Sequence, residues 1–390
     1  MDDIPSERCR VLLVFKHVFG HHVSHAEAFV DLFSDWGWEI HVLAIPELER
    51  VAPNLPFLKR VTRTELVPLQ RRPLSTLHRI ERYCQAHAID LVVLVTLDEW
   101  LVDLALHRAL RRRSLRFRLF GILHHLSKSG GILRRIQGAL ALHGWKGVDR
   151  SITNLRVGCL TDESQQLAQG LNPRVPVDKI AYVHKIHREP LARSILPDDE
   201  GIRLLIFGAL RSNKRILEVI QGLKQAAADT QGPRLELTLA GRFSDDTYAR
   251  RVRQSVEAHT NGEPSNLTVC LQEGFISDDE KRDLFARTHI VVISNSGGDF
   301  EGRMISGVLL DAVHFRRPIV CTDSFPLPQE VAGVSAQYNL AQPTSLATAI
   351  TEVISHYDEF VTAYDVLGDR LIDGFKVCLR EQVRELTDHS

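Results

Sequence analysis

Four groups of residues have the types and spacing to do chemistry. The first is the run Phe207-Gly208-Ala209-Leu210-Arg211-Ser212-Asn213-Lys214-Arg215, three cations and two small residues between an apolar run and a helical pattern. Cations at such a turn can neutralise a diphosphate leaving group as its charge develops. They are mildly unfavourable at a helix N-terminus, which makes their presence informative, although solvated helix-start cations would look the same. The second group lies in residues 290–323. A short apolar run is followed by a polar turn with Asp299 and Glu301, then Ser306-Gly307, Asp311 on a helical pattern, and a second apolar run at Pro318 to Cys321. Strand, glycine-containing turn, helix and strand make a βαβ unit, where ligands sit at strand carboxyl ends beside a helix start that favours anions. Amides for phosphate and carboxylates for hydroxyls would suit a sugar diphosphate. The same acids would also serve an ordinary turn as caps or solvated groups. The third and fourth groups are His124-His125 and Gly20-His21-His22, each after an apolar run. Histidine there can orient a hydroxyl or accept a proton, or be a satisfied structural residue.

The elements that must position these groups alternate twice over. In the first half, apolar runs at 10–15, 39–45, 61–69, 89–95, 116–123, 152–160 and 180–183 predict strands. Helical patterns fall between them, one capped by Ser24 and running to Trp36, others at 74–87, 98–113, 133–143 and 162–169. Residues 184–201 have no clear period and carry two prolines, as a linker would. Strands are then expected at 202–209, 235–241, 267–271, 289–294 and 318–321. Helices are expected at 213–229, after Ser244-Asp245-Asp246, after Ser277 with Glu280 in capping-box position, and at 304–315, 344–355 and 368–386. The fold class this predicts is α/β, two doubly wound Rossmann-like domains facing a cleft. The organisation is 1–184, a linker at 185–200, 201–365, and a C-terminal helix over 366–390 that crosses back to the first domain.

Composition bounds the function. With 390 residues, 44% hydrophobic and 25% charged, the chain suits two globular domains and contains no run of 18 apolar residues. The polar N-terminus is not a signal peptide, and scattered cysteines without a Cys-x-x-Cys speak for a reducing, cytoplasmic setting without zinc or disulfides. There is no G-x-G-x-x-G, no Walker A lysine loop, no Asp-x-Asp and no G-x-S-x-G. Residues 1–190 carry 27 Lys and Arg against 20 Asp and Glu, and the remainder 21 against 29, so the halves differ in charge. A nucleic-acid role is disfavoured, because the basic residues lack interleaved aromatics and the net charge is −1.

Taken in order, the motifs resemble the GT-B-fold glycosyltransferases, family-four-like and of group 1, retaining enzymes that use nucleotide-diphosphate sugars without a metal. Thr161 to Tyr182 resembles the helix and "VPxxKI" segment before the family's linker. Gly208-Ala-Leu-x-x-x-Lys214 resembles its "GRLxxxKG" phosphate loop, and Leu239-Ala240-Gly241 its "LxGxG" strand end. Gly274-Phe275-Ile276-Ser277 with Leu284-Phe285 resembles "GxVxxxELxxLY", and Asp311-Ala312 with Pro318-Ile319-Val320 resembles "EAMAxGxPVV". Ile122-Leu123-His124 resembles the N-terminal "TxHD" strand end. Ala209 stands where the family has arginine, Arg215 where it has glycine, and Arg303 and Asp311 where it has paired glutamates.

The resemblance implies a glycosyltransferase moving a sugar from a nucleotide-diphosphate donor to an acceptor hydroxyl, with retention and without a metal or cofactor. The UDP or GDP type of donor stays open. By the same resemblance Lys214, with Arg211, Arg215 and Gly208, holds the diphosphate. Ser306 and Gly307 offer amides to a phosphate, and Asp311 takes the ribose hydroxyls. Glu301 faces the donor sugar and His124 the reacting sugar, while domain closure excludes water. The N-terminal domain would bind the acceptor, a glycan, lipid-linked sugar or small molecule. Arg71, Arg72, Arg111 to Arg113, Arg116 and Arg118 suit peripheral contact with an anionic inner membrane face. Two alternatives stand beside this reading. One is a sugar-nucleotide epimerase of the same fold, which would turn over without acceptor. The other, suggested by Ala209 and Arg303, is a non-catalytic nucleotide-sugar-binding or scaffold subunit.

Overall fold

The computed structural model describes the chain apart from residues 1–8, 18–20, 69–72, 112–116, 125–131, 149–154, 182–185, 187–195, 197–200, 228–233, 261–265, 296–305 and 389–390. Gly20, Arg71, Arg72, Arg112, Arg113, Arg116, His125, Asp299, Glu301, Arg303 and nearly all of the expected linker lie outside the described residues. The chain divides into two compact units, Met1–His187 with Leu371–Ser390, and Arg188–Arg370.

The first unit runs β1 (Arg10–Phe15), α1 (His21–Asp35), β2 (Glu39–Ala44), α2 (Leu48–Val51), β3 (Arg63–Leu66), α3 (Pro73–His87), β4 (Leu91–Leu94), α4 (Leu101–Arg111), β5 (Arg118–Leu123), α5 (Ile132–Gly147), β6 (Leu155–Cys159), α6 (Asp162–Leu171) and β7 (Val177–Lys179). Its seven strands form one sheet in the order β3-β2-β1-β4-β5-β6-β7. Every neighbouring pair is parallel. Parallel neighbours need crossovers, and the crossover helices cover both faces of the sheet, which is why the strands read as unbroken apolar runs. Val11 to Val14 and Val92 to Val95 are almost fully buried. α1 buries His25, Ala28, Phe29, Leu32 and Phe33, a stripe at helical spacing. The Phe29 ring lies 6.0 Å from that of Phe120 in β5.

The second unit runs β8 (Ile202–Phe207), α7 (Ile216–Ala227), β9 (Leu235–Gly241), α8 (Asp246–Thr260), β10 (Leu267–Glu273), α9 (Asp278–Arg287), β11 (Ile290–Ile293), α10 (Gly307–His314), β12 (Ile319–Thr322), α11 (Gln329–Ala332), β13 (Ala336–Tyr338) and α12 (Pro343–Ser355). Its strands are again all parallel, in the order β10-β9-β8-β11-β12-β13. Ile202, Leu204 and Ile206 of β8 pack with Val219 and Leu223 of α7 and Ile350 and Val353 of α12 in one core. A last helix, α13 (Tyr357–Asp388), follows, and its residues from Leu371 onward belong to the first unit. No described helix is long and apolar enough to cross a membrane.

Both sheets have the same winding. The chain starts in the middle, builds outward to one edge, then returns to the other side of its first strand. The reversal falls between β1 and β4 in the first unit and between β8 and β11 in the second. At such a switch point the strand ends diverge and leave a crevice at the carboxyl edge.

Several expected boundaries differ. α1 starts at His21, so Ser24 lies inside the helix rather than capping it, because the paired histidines take up its first turn. The expected strand at 180–183 is β7, three residues earlier, because Val177 supplies the buried position that pairs with Val157. The helix expected from Asn213 begins at Ile216. Ser212–Lys214 forms a tight 3-10 turn, and Arg215 adopts a left-handed conformation (φ 47°) that stops it merging with α7. The helix expected from Met304 is described from Gly307. The C-terminal helix begins at Tyr357 rather than near Gly368, because Val361, Tyr364 and Leu367 continue its buried stripe upstream through the glycine. β13, three residues long, is too short to show a period. The capping box at α9 is present, with Glu280 N–H donating to Ser277 Oγ at 3.3 Å and Ser277 N–H to Glu280 Oε2 at 2.7 Å.

Candidate functional site

At the carboxyl edge of the second sheet, three adjacent strands end on glycines with positive φ: Gly208 (95°), Gly241 (143°) and Gly274 (140°). They are held in register, Gly208 N–H donating to Ala240 O at 2.9 Å and Gly274 N–H to Gly241 O at 3.0 Å. A Cβ on Gly241 would lie 1.9 Å from the Gly208 carbonyl oxygen, so only glycine fits there. Around Gly274 there is open space, and Phe275 beside it is 86% exposed.

Of the three cations that follow β8, one turns inward. Lys214 Nζ donates to the carbonyl of Phe207 at 2.5 Å, and Ser294 Oγ, from the end of β11, donates to the Lys214 carbonyl. These contacts stitch the turn across the switch point. A Cβ on Gly208 would come within 3.9 Å of Lys214 Nζ and 3.5 Å of Val308 in the first turn of α10. The glycine therefore leaves a bare floor where the ammonium meets the helix start. Lys214 has no carboxylate counter-charge among the described residues. Burial, and then repulsion from Arg211, pull its pKa down to about 8. Arg211 is exposed on extended backbone. Arg215 points to solvent and pairs with Glu218 at 3.2 Å, a surface pair of little energetic weight.

α10 completes this edge. Ser306 is its N-cap, buried, with no side-chain cap bond, and Gly307 is its first residue, so the amides of the opening turn are not used by the cap side chain. Asp311 lies three residues beyond Val308 on the same helical face. It is buried, with Oδ1 3.4 Å from Lys281 Nζ of α9. Burial works against the Lys281 charge, but Asp311 and Asp278 outweigh it and hold the pKa above the ordinary lysine value. The structure thus brings Gly208, Lys214 and the start of α10 together, with Asp311 one turn along. Arg211 flanks them and Arg215 does not join them.

His124 belongs to the first unit, at the carboxyl end of β5 and near the switch point of that sheet. Its backbone N–H donates to Asp98 Oδ1 at 3.2 Å, and its Nδ1 lies 3.6 Å from the same oxygen. Its Nε2 is 2.8 Å from Nε2 of His25, so one imidazole donates a hydrogen bond to the other. Nearby, Lys16 Nζ donates to Glu99 O at 2.9 Å, lies 3.3 Å from Asp103 Oδ2 and sits 3.8 Å over the Trp100 ring. His17 pairs with Glu99 at 2.8 Å.

Sequence reasoning passed over His25, Asp98, Ser294 and Lys281. His25 had a visible signal, a lone histidine on the apolar stripe of α1. Asp98, Ser294 and Lys281 act through partners 26, 80 and 30 residues away, which no local pattern reveals.

Residues 201–356 match the family model "Glycosyl transferases group 1". No curated protein sequence matches the chain. Among solved structures, Anabaena HepE in complex with UDP is similar, with TM-score 0.65 and 13% identity over 98% of this chain and 100% of that one. HepE has also been solved in complex with UDP-glucose. Sucrose-phosphate synthase from Thermosynechococcus elongatus gives TM-score 0.60 and 15% identity over 98% and 100%. The N-terminal domain of trehalose-6-phosphate phosphatase from Candida albicans gives 0.64 and 11% over 100% and 99%. At these identities the likeness is one of fold, the GT-B arrangement of two doubly wound units.

Proposed function

We propose that this chain, whose residues 201–356 match the family model "Glycosyl transferases group 1", is a GT-B glycosyltransferase that uses a nucleoside-diphosphate sugar as donor, bound at the carboxyl edge of the second sheet. The observation that carries this reading is Lys214, a partly buried ammonium with no counter-charge among the described residues, beside a glycine and a helix start. Such a site is completed by an anion. The diphosphate lies against Lys214 and the first amides of α10, with Arg211 at its flank. The hydroxyls of the ribose meet Asp311. HepE, solved with UDP and UDP-glucose, lends support for a uridine donor.

The reaction breaks the bond between the anomeric carbon and the diphosphate oxygen, and forms one from that carbon to an acceptor hydroxyl. The acceptor proton leaves with the departing diphosphate or to solvent. Lys214 and the α10 amides stabilise negative charge as it builds on the leaving oxygen, so the departure needs no metal. The first unit takes the acceptor, a carbohydrate or lipid-linked sugar, and His124 is its candidate site residue. Transfer proceeds with retention. The setting is the cytoplasm, with peripheral contact to an anionic membrane through the basic first half.

Calorimetric titration with UDP, GDP and ADP, repeated on Lys214→Ala, tests the donor site. One diphosphate should bind in the micromolar range and weaken by about tenfold or more in the variant. Failure of all three to bind would overturn the reading. Proton NMR of the product formed on an accepted sugar reads the anomeric configuration, and inversion would remove the retaining assignment. Turnover undiminished by EDTA is the expected result for metal independence.

A further inference from the structure

The carboxyl edge of the first sheet holds an arrangement that donor binding does not use. Asp98, His124 and His25 come together there from three elements far apart in sequence. The side chains of His124 and Asp98 are 5% and 6% exposed, and His25 is buried with them. Asp98 lies in a tight 3-10 turn, Leu97–Glu99, that follows β4. The turn can approach β5 because Gly121 has no side chain, and a Cβ there would lie 2.9 Å from that of Leu97. Asp98 Oδ1 is thereby placed to accept the backbone N–H of His124 at 3.2 Å. His25 lies one turn before Phe29 on the buried face of α1, and Phe29 packs on Phe120 of β5. The rings of His25 and His124 therefore meet edge to face, with planes at 74° and centroids 4.7 Å apart. Their Nε2 atoms are 2.8 Å apart.

A hydrogen bond between two imidazole nitrogens needs a hydrogen on one and a lone pair on the other. Asp98 decides which is which. Its carboxylate lies 3.6 Å from His124 Nδ1, too far for a hydrogen bond, yet close enough in so buried a place to favour the proton on that nitrogen. His124 then keeps its lone pair on Nε2, and His25 is the donor. The order Asp98, His124, His25 thus has one direction, and it fixes the tautomer and the plane of the His124 ring from both sides. Because Nε2 is engaged by His25, His124 brings to this edge a fixed ring and a fixed end of β5 rather than a free base. We propose that Asp98 and His25 are positioning residues of the acceptor edge, which act through His124 to set the surface against which the acceptor lies. This inference rests on the reading above that the first unit takes the acceptor.

The test compares the full chain with Asp98→Asn, His25→Leu and His25→Gln. Histidine labelled with nitrogen-15 reads the ring tautomers by NMR. In the unaltered chain His124 should carry its proton on Nδ1 and leave Nε2 bare, and Asp98→Asn should move that proton or mix the two tautomers. Turnover is read as release of UDP, GDP or ADP from UDP-glucose, GDP-mannose and ADP-glucose, with glucose, mannose, N-acetylglucosamine or water as acceptor. Asp98→Asn and His25→Leu should lower kcat by up to about a hundredfold, the effect of misplacing a group by about 1 Å, with KM for the donor unchanged. His25→Gln keeps an N–H that can reach His124 Nε2 and should restore most of the rate. A His124 tautomer indifferent to Asp98→Asn, an undiminished kcat in Asp98→Asn and His25→Leu, or a loss in His25→Gln as deep as in His25→Leu would each sink the inference and leave the transferase reading standing. An unaltered chain that binds a diphosphate but turns over none of these donors would remove the transferase reading and the inference with it.

Discussion

The carboxyl edges of the two sheets share a topology and differ in how their charges are treated. In the first unit the described charged and imidazole groups at this edge face protein partners. Lys16 is held by Asp103, the Glu99 carbonyl and the Trp100 face, His17 by Glu99, and His124 by Asp98 and His25. In the second unit Lys214 has a carbonyl but no counter-charge among the described residues, and glycines strip the side chains from three strand ends beside it. An ammonium with no counter-charge among the described residues is costly where it is partly buried, and on the proposed reading an anion offsets that cost at the second edge. The first edge holds its charges with protein partners instead.

The sharpest way to break the comparison is at the glycine floor. Gly241→Ala would drive a Cβ into the Gly208 carbonyl at φ 143° and should cost about 3–5 kcal/mol in urea unfolding. Gly274→Ala has a similar φ but open space, and should cost only about 1–2 kcal/mol. Equal costs would mean that strain alone, and not the close approach of β8 and β9, explains the glycines. Next come the two lysines. Lys16→Met leaves the Asp103 carboxylate buried without its cation and should destabilise by about 3 kcal/mol. Lys214→Met removes an ammonium with no counter-charge among the described residues and should leave stability unchanged or raised while diphosphate binding is lost. A large loss of stability in Lys214→Met would erase the contrast.

The smallest effect is a pH dependence. The Lys214 pKa of about 8 means that the ammonium is present below that pH in the empty protein. Bound diphosphate raises the pKa, so binding takes up a proton as the pH rises past 8, and affinity should fall by about fivefold between pH 8 and 9. Calorimetry in two buffers of different ionisation enthalpy measures that proton. For unfolding the sign is opposite. The lysine pKa is lower in the folded state than its unfolded value, so the contribution of this group to stability rises with pH between about 8 and 10.4. Lys214→Met should remove both slopes.

Much of the fold was legible. Apolar runs such as Val11 to Val14 and Ile290 to Ile293 announce parallel strands because helices bury both their faces. The capping box at Ser277 and Glu280 marks the start of α9 because its hydrogen bonds close within one turn. The site was legible in part. Gly208, Lys214, Ser306 and Gly307 stand out because strand, turn and helix follow one another in sequence. That Arg215 points away while Lys214 turns in was not legible, because the choice is made by the left-handed Arg215 backbone and by Ser294, a residue 80 positions later.

What the amino-acid sequence determined by itself is the alternation of strands and helices, hence two doubly wound sheets, and the residue types at their carboxyl edges. These depend on local periodicity and turn chemistry, which neighbouring residues carry. What only the tertiary structure decided is which charges have partners. Lys16 meets Asp103 and Lys281 meets Asp311 only because elements distant in sequence come together in the fold, whereas Lys214 ends against the Phe207 carbonyl beside Gly208. Electrostatic energy depends on distance in space and on burial, and neither is a property of spacing along the chain.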